Sequence, residues 1–180
     1  MAKSQKRILS AQTVTVMAVL LALNTIVGFI PSVGIPPYVE MGFGFIVTAF
    51  AASILGPILA PILWMVGDLI SFYLQGGGYF FPGFTLSAAV AALIYALFLY
   101  QKPKTLKQIV LAVLFVTIIV NLGLNSLWIR IMFDRAWGVF MGVRLIKNII
   151  SLPVNVFILY FLFKQPTVKR LMDKVEKMVG

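Results

Sequence analysis

The residues able to do chemistry cluster between positions 121 and 148, in the stretch NLGLNSLWIRIMFDRAWGVFMGVRLIKN. Long apolar runs flank it, yet it carries asparagines, tryptophans, arginines, a lysine and an aspartate. Polar and charged groups at membrane depth are costly and mark function by default. On helices, Asn121, Asn125 and Trp128 share one face at i, i+4 and i+7, and Arg144, Lys147 and Asn148 share another at i, i+3 and i+4. Two such faces joined by a short connector describe half of a binding cleft whose positive charge selects an anion. The other reading is that these residues cap two helices at the headgroup level, where Trp, Arg and Lys gather.

Three further places have chemical potential. Asp68 lies inside an apolar run, with Ser71 and Gln75 at i+3 and i+7. It is either a ligand contact or half of a buried ion pair with Arg130, Arg144 or Lys147. The segment 31–42 holds Pro31, Gly34, Pro36, Pro37 and Glu40. It is too long for a tight turn and too apolar for a plain loop. It is expected to fold back over the bundle, with Pro36, Pro37 and Glu40 as lid residues. Glu40 then binds a ligand donor or caps the next helix. The stretch QGGGYFFPG at 75–83 pairs permissive glycines with flat aromatic surface. That suits a ring-stacking wall or an interfacial belt, and it lacks any phosphate-binding fingerprint.

The elements that must position these groups are membrane helices. Of 180 residues, 61% are hydrophobic and 11% charged, against about 25% charged in a soluble domain. The chain is too apolar for its net charge of +10 to signal nucleic acid. Without Cys or His it has no disulfide, thiolate chemistry or Cys/His zinc site. With neither paired carboxylates nor an ATP-binding motif, no catalytic residue, metal or cofactor is expected, and ATP hydrolysis would fall to partner subunits.

The apolar runs predict an all-α integral membrane protein with six transmembrane helices in one domain, spanning 8–30, 43–59, 61–75, 84–100, 108–129 and 142–163. The first is read as a retained span, since its apolar run exceeds a signal-peptide core. Gly56-Pro57 and Ala60-Pro61 predict a tight second turn, with the third span opening at Pro61. A polar connector is expected at 129–142, and Pro153 predicts a kink. Residues 164–180 form an amphipathic cytoplasmic tail, which lies on the membrane, touches a soluble partner or frays. With six crossings, eleven bases fall on the side of the termini and four on the other. Both termini are therefore expected in the cytoplasm. The four outer bases, Arg130, Arg135, Arg144 and Lys147, all sit in the polar stretch. Along the first span, Ala11, Thr15, Ala18 and Ala22 make a small-residue face that suits close helix contact. That contact is either internal or with a second membrane protein.

The segments MAVLLAL, GFGFIVTAFAASILGPILAPILWMVGDLI, YFFPGFTLSAAVAALIYALFLY and RLIKN span most of the chain. Together they resemble the substrate-binding S components of energy-coupling factor vitamin importers, most closely the folate-specific ones. PGFTLSAA is the most specific segment. The resemblance implies a multi-pass protein of a prokaryotic cytoplasmic membrane that captures folate, or a related anionic vitamin, at the outer face beneath the loop between helices one and two. It implies docking onto a transmembrane coupling protein driven by two ABC-type ATPase subunits, with Ala18 and Ala22 resembling the docking surface. It further implies a ligand site drawn from Asp68, Phe81, Phe84, Asn125, Trp128, Arg144, Lys147 and Asn148. Arg144 and Lys147 would hold the glutamate carboxylates. The ring would stack among Phe81, Phe84 and Trp128, with Asp68 or Asn125 at its amino-pyrimidinone edge. S components for riboflavin, thiamine, biotin or pantothenate share this architecture. From other classes, a structural membrane protein and a small channel or carrier are the rival readings. Nearly all-apolar inner halves of the last three spans argue against a channel.

Overall fold

The computed structural model describes residues 10–30, 33–35, 39–74, 80–133 and 137–179, with side chains from 10–30, 42–74, 80–133 and 141–179. Among the described residues, six helices carry the fold: α1 (Ala11–Gly28), α2 (Gly44–Leu74), α3 (Pro82–Leu99), α4 (Leu106–Phe133), α5 (Trp137–Lys164) and α6 (Pro166–Val179). Five of them, all but α6, contain stretches long and apolar enough to cross a membrane. Their outer surfaces agree. Ile58, Ile146, Ile149, Phe157 and Phe161 are all more than half exposed, a greasiness that hydrocarbon tolerates and water does not. This is an all-α multi-pass membrane protein.

Helix α1 starts where Ser10 Oγ accepts from the Thr13 backbone N–H at 3.1 Å, satisfying one orphan donor of the first turn. Between α1 and α2 lies a small antiparallel hairpin, β1 (Val33–Ile35) and β2 (Val39–Met41), in register Val33↔Met41, Gly34↔Glu40 and Ile35↔Val39. The segment expected as a folded-back loop is thus partly strand, and β2 approaches α5. Pairing gives its backbone groups partners that a bare loop over an apolar bundle lacks. Of the lid residues, Glu40 belongs to β2, and Pro36 and Pro37 lie outside the described residues.

Helix α2 is two helices in one run. Gly56 breaks it, with φ 77° and ψ −174°. A Cβ added to Gly44 would lie 3.8 Å from Asn24 Oδ1, and one added to Gly67 would lie 3.6 Å from Asn24 Nδ2. Both glycines therefore flank one side chain of α1. An unbroken helix would hold them about 34 Å apart. The run doubles back at Gly56, midway between them, into antiparallel arms 44–55 and 57–74. Only glycine suits this bend. The backbone angle is left-handed, and a Cβ would meet the Tyr100 ring at 3.0 Å. The expected turn at 56–61 shrinks to one residue because Pro57 fits the first helical position. Pro61, one turn on, forfeits a single hydrogen bond.

The first arm of α2 is buried along most of its length, and Ala49, Ala51, Ala52, Ala60, Ala92, Ala96 and Ala112 form a small-residue centre. Small side chains let helices approach closely where lipid offers no hydrophobic drive. Phe81 and Pro82 open α3. Thr105 Oγ1 caps α4 by accepting from Gln108 N–H at 3.4 Å. Within α4, nine residues, Val116–Leu124, form a π-helix between α-helical sections Leu106–Phe115 and Asn125–Phe133. Of the polar connector expected at 129–142, residues 129–133 are the end of α4 and 137–142 the start of α5, so Arg130 sits on a helix end rather than in a loop, and Asp134 and Arg135 lie outside the described residues. The tail forms α6, which packs against α1, α2 and α5. Its apolar stripe provides the reason: Met172 is 5% exposed, and Val168, Val175 and Val179 pack on the core.

The bundle has two distinct ends. At one, Gly56 meets Tyr100 beside the α3–α4 turn, and Lys104 pairs with Glu176 of α6 at 3.6 Å. At the other lie the hairpin, the start of α3 and the facing ends of α4 and α5.

Candidate functional site

A cavity of about 380 Å³ opens among α1 to α5 toward the hairpin end, within the usual range for small-molecule sites. The doubled-back α2 supplies two walls, Phe45 and Thr48 from one arm and Trp64, Asp68 and Ser71 from the other. Phe84, Ser87 and Tyr95 come from α3, and Lys147 and Asn155 from α5. Asn24 of α1 closes the remaining side.

The π segment explains the α4 wall. Its i→i+5 bonding widens the turn, and Val116, Thr117, Val120, Asn121 and Asn125 all line the cavity. The wide turn is stapled from outside. The Asn121 carbonyl accepts from Arg144 Nη2 at 2.6 Å and from Ser126 Oγ at 3.3 Å. Arg144 is 8% exposed, so this charge-assisted bond operates in a dry setting. One turn on, Asn148 Nδ2 donates to the Arg144 carbonyl at 2.8 Å, and Ser151 Oγ donates to the Asn148 carbonyl at 3.4 Å.

The cavity mixes satisfied and unsatisfied polar groups. Asp68 Oδ2 accepts from Thr85 Oγ1 at 2.7 Å, which fixes the carboxylate and leaves its second oxygen for another donor. Trp128 Nε1 donates to Ser87 Oγ at 3.0 Å. By contrast, Asn125 Oδ1 and Asn155 Oδ1 are buried with no hydrogen-bond partner. Leaving a buried polar atom unmatched costs about 1–3 kcal/mol. A ligand carrying N–H or O–H groups removes that cost on entry. The resulting chemistry is an acceptor-rich floor, aromatic walls from Phe45, Trp64, Phe84 and Tyr95, and one ammonium from Lys147.

Of the residues singled out in sequence, Asp68, Phe84, Asn125 and Lys147 meet in this cavity. Phe81 and Trp128 stand beside it with ring centroids 5.7 Å apart, and Phe81 makes an edge contact with Phe84 at 6.2 Å. Gly83 permits this cluster, since a Cβ there would fall 2.5 Å from both the Phe81 and Trp128 rings. Arg144 and Asn148 lie behind the wall, on the α4–α5 seam. Sequence reasoning missed Asn24, Trp64, Tyr95 and Asn155. Asn155 sits deep in an apolar run just past Pro153, and the rule that singled out Asp68 also applies to it. Trp64 and Tyr95 carry no such signal, because an aromatic in a membrane span is ordinary. Ala18 and Ala22 are exposed, as are Ala11 and Thr15, so the small-residue face of α1 points away from the bundle.

Comparison with known proteins gives this geometry a family. The model of the ECF transporter substrate-specific component matches residues 12–163. The chain is 38% identical over 141 residues to the folate transporter FolT of Clostridium novyi (strain NT), covering 78% of this chain and 82% of that one. It is 31% identical over 173 residues to the folate transporter FolT of Leuconostoc mesenteroides, covering 93% and 92%. Its fold is similar to a crystal structure of FolT bound with folic acid, with TM-score 0.81 and 31% identity, covering 88% of this chain and 96% of that one. The S component for biotin from an ECF-type ABC transporter, at TM-score 0.63 and 21% identity, shares the fold. From the cavity-forming helices and the match across nearly all of them, the chain belongs to the substrate-specific components of ECF transporters.

Proposed function

We propose that the chain is the folate-binding subunit of an ATP-driven ECF importer in a prokaryotic cytoplasmic membrane. The observation that carries this reading is the cavity itself. It joins the fixed Asp68 carboxylate and two partnerless amide oxygens to aromatic walls and the Lys147 ammonium. A pterin offers a flat ring with an amino-pyrimidinone edge rich in N–H donors, and its glutamate tail ends in carboxylates. In this reading Asp68 and Asn125 take the donor edge, and Phe84, backed by Phe81 and Trp128, packs on the ring. Lys147 meets the tail carboxylates. Arg144 acts behind it, holding Asn121 and hence the asparagine-bearing turn of α4. The folate transporters among its relatives support the same ligand.

The antiparallel arms of α2 support six crossings. With six, the lysine-rich end that carries α6 is cytoplasmic, and the cavity faces outward under the β1–β2 hairpin as its cover. The exposed Ala18–Ala22 face of α1 suits docking of a transmembrane coupling protein, which two ABC-type ATPases would drive. Mass analysis of small molecules retained through gentle detergent purification tests the reading. A retained folate is the expected result, and a retained riboflavin, thiamine or biotin would overturn it.

A further inference from the structure

A second cavity lies at the opposite end of the bundle, between the α3–α4 turn, the last turn of α5 and α6, with a volume of about 630 Å³. Four lysines line it, Lys102, Lys104, Lys164 and Lys169, against two acids, Asp173 and Glu176. One acid is already engaged, since Glu176 pairs with Lys104 at 3.6 Å. Two of the lysines are held in place. Lys102 Nζ donates to the Leu97 carbonyl at 2.6 Å, which uses one of its three protons, and Lys164 Nζ stands 5.5 Å over the Tyr160 ring. Thr105 and Leu106, the cap and first residue of α4, complete the rim. The positive end of a long helix therefore adds to the lysine charge. Beneath this rim the lining turns apolar, with Tyr160, Phe163 and Met172. Charge sits at the level where the helices end, and apolar surface sits just inside it. That is the layering of a lipid headgroup above its acyl chains.

We propose that this cavity binds a phosphate group, carried by the headgroup of an anionic phospholipid. The lysine excess and the α4 N-terminus bind the phosphate, and the Tyr160–Phe163 side of the cavity accommodates the start of the acyl chains. The site is remote from the vitamin cavity and does not depend on which vitamin binds there. A bound lipid would brace α6 against the α3–α4 turn on the face that meets the cytoplasm in a six-crossing arrangement.

The test uses the full chain in a neutral detergent and titrates phosphatidylglycerol or phosphatidylcholine, read by native mass spectrometry. Inorganic phosphate serves as competitor. The variant pair Lys164→Gln/Lys169→Gln removes two lining charges. The pair Lys174→Gln/Lys177→Gln removes equal charge from α6 outside this cavity. All four side chains are exposed, and melting temperatures verify that both variants fold. The wild type should retain phosphatidylglycerol over phosphatidylcholine. The lining pair should weaken that binding roughly 30-fold, and the control pair less than about threefold. Inorganic phosphate competing as strongly as the lipid would uphold the phosphate site and assign it to a soluble phosphate. Equal losses in the two variants, or no preference for the anionic lipid, would overturn the proposal.

Discussion

Arg144 and Lys147 are neighbouring bases on α5, and their surroundings predict different consequences of removing each. Lys147 lines the cavity, whereas Arg144 donates to the Asn121 carbonyl at 2.6 Å behind it. If Lys147 meets the folate carboxylates, Lys147→Ala removes one charged hydrogen bond to the ligand. Such a bond is worth about 1.5–3 kcal/mol, or about 10- to 150-fold in affinity. Lys147 is partly exposed, so solvent screening favours the lower half of that range. A pterin lacking the glutamate tail never makes the bond and should lose less than about threefold. Arg144→Ala instead strips a buried donor from the π turn that carries Asn121 and leads into Asn125. Both ligands should then weaken by the same factor, within about threefold, and the melting temperature should fall. Calorimetric titration of both ligands against wild type and the two variants separates these patterns. Equal loss of both ligands in Lys147→Ala, or loss confined to folate in Arg144→Ala, would refute this division of labour.

Gly56→Ala should destabilise the protein by at least about 1–2 kcal/mol from the left-handed backbone alone, with more from the Tyr100 contact at 3.0 Å; an unchanged melting temperature in detergent would contradict the bend. Replacing Ala18 and Ala22 with tryptophan should abolish uptake while leaving folate binding by the isolated protein within about twofold, because both side chains face outward. Equal loss of binding would show that the face serves the bundle itself. Terminal tags should resist protease in intact cells and be cleaved after permeabilisation, as eleven bases on that side require.

The parts of this molecule legible in sequence were those written in polarity. Asp68, Asn125 and Lys147 stand out because hydrocarbon tolerates few such groups, and all three reach the cavity. The small-residue face of α1 was equally plain, but whether it pointed in or out required the packing. What stayed hidden was backbone geometry. Nothing in VTIIVNLGL distinguishes a π-helix from an α-helix, yet the wider turn brings Val116 and Asn125, which an α-helix would set on opposite faces, to one cavity. Nor does the sequence show that Arg144, expected to hold the ligand's carboxylates, donates to the Asn121 carbonyl. The Gly-Pro and Ala-Pro pairs announced a turn, but placing it at Gly56 alone depended on Tyr100, which lies 44 positions away. Arg130 reads as part of a loop when it sits in the last turn of α4, because the sequence does not say at which depth a helix leaves the membrane. The hairpin strands have the alternation of strands, but three residues each are too short to announce themselves.

The central claim is that the α1–α5 cavity is a folate site. Its most direct test is a set of parallel calorimetric titrations of the purified chain with folate, riboflavin, thiamine, biotin and pantothenate, repeated with Asp68→Ala. A folate site at Asp68 should give a single saturable heat with folate alone, weakened about 10-fold or more in Asp68→Ala. Tight binding of another vitamin, or folate binding indifferent to Asp68→Ala, would contradict it.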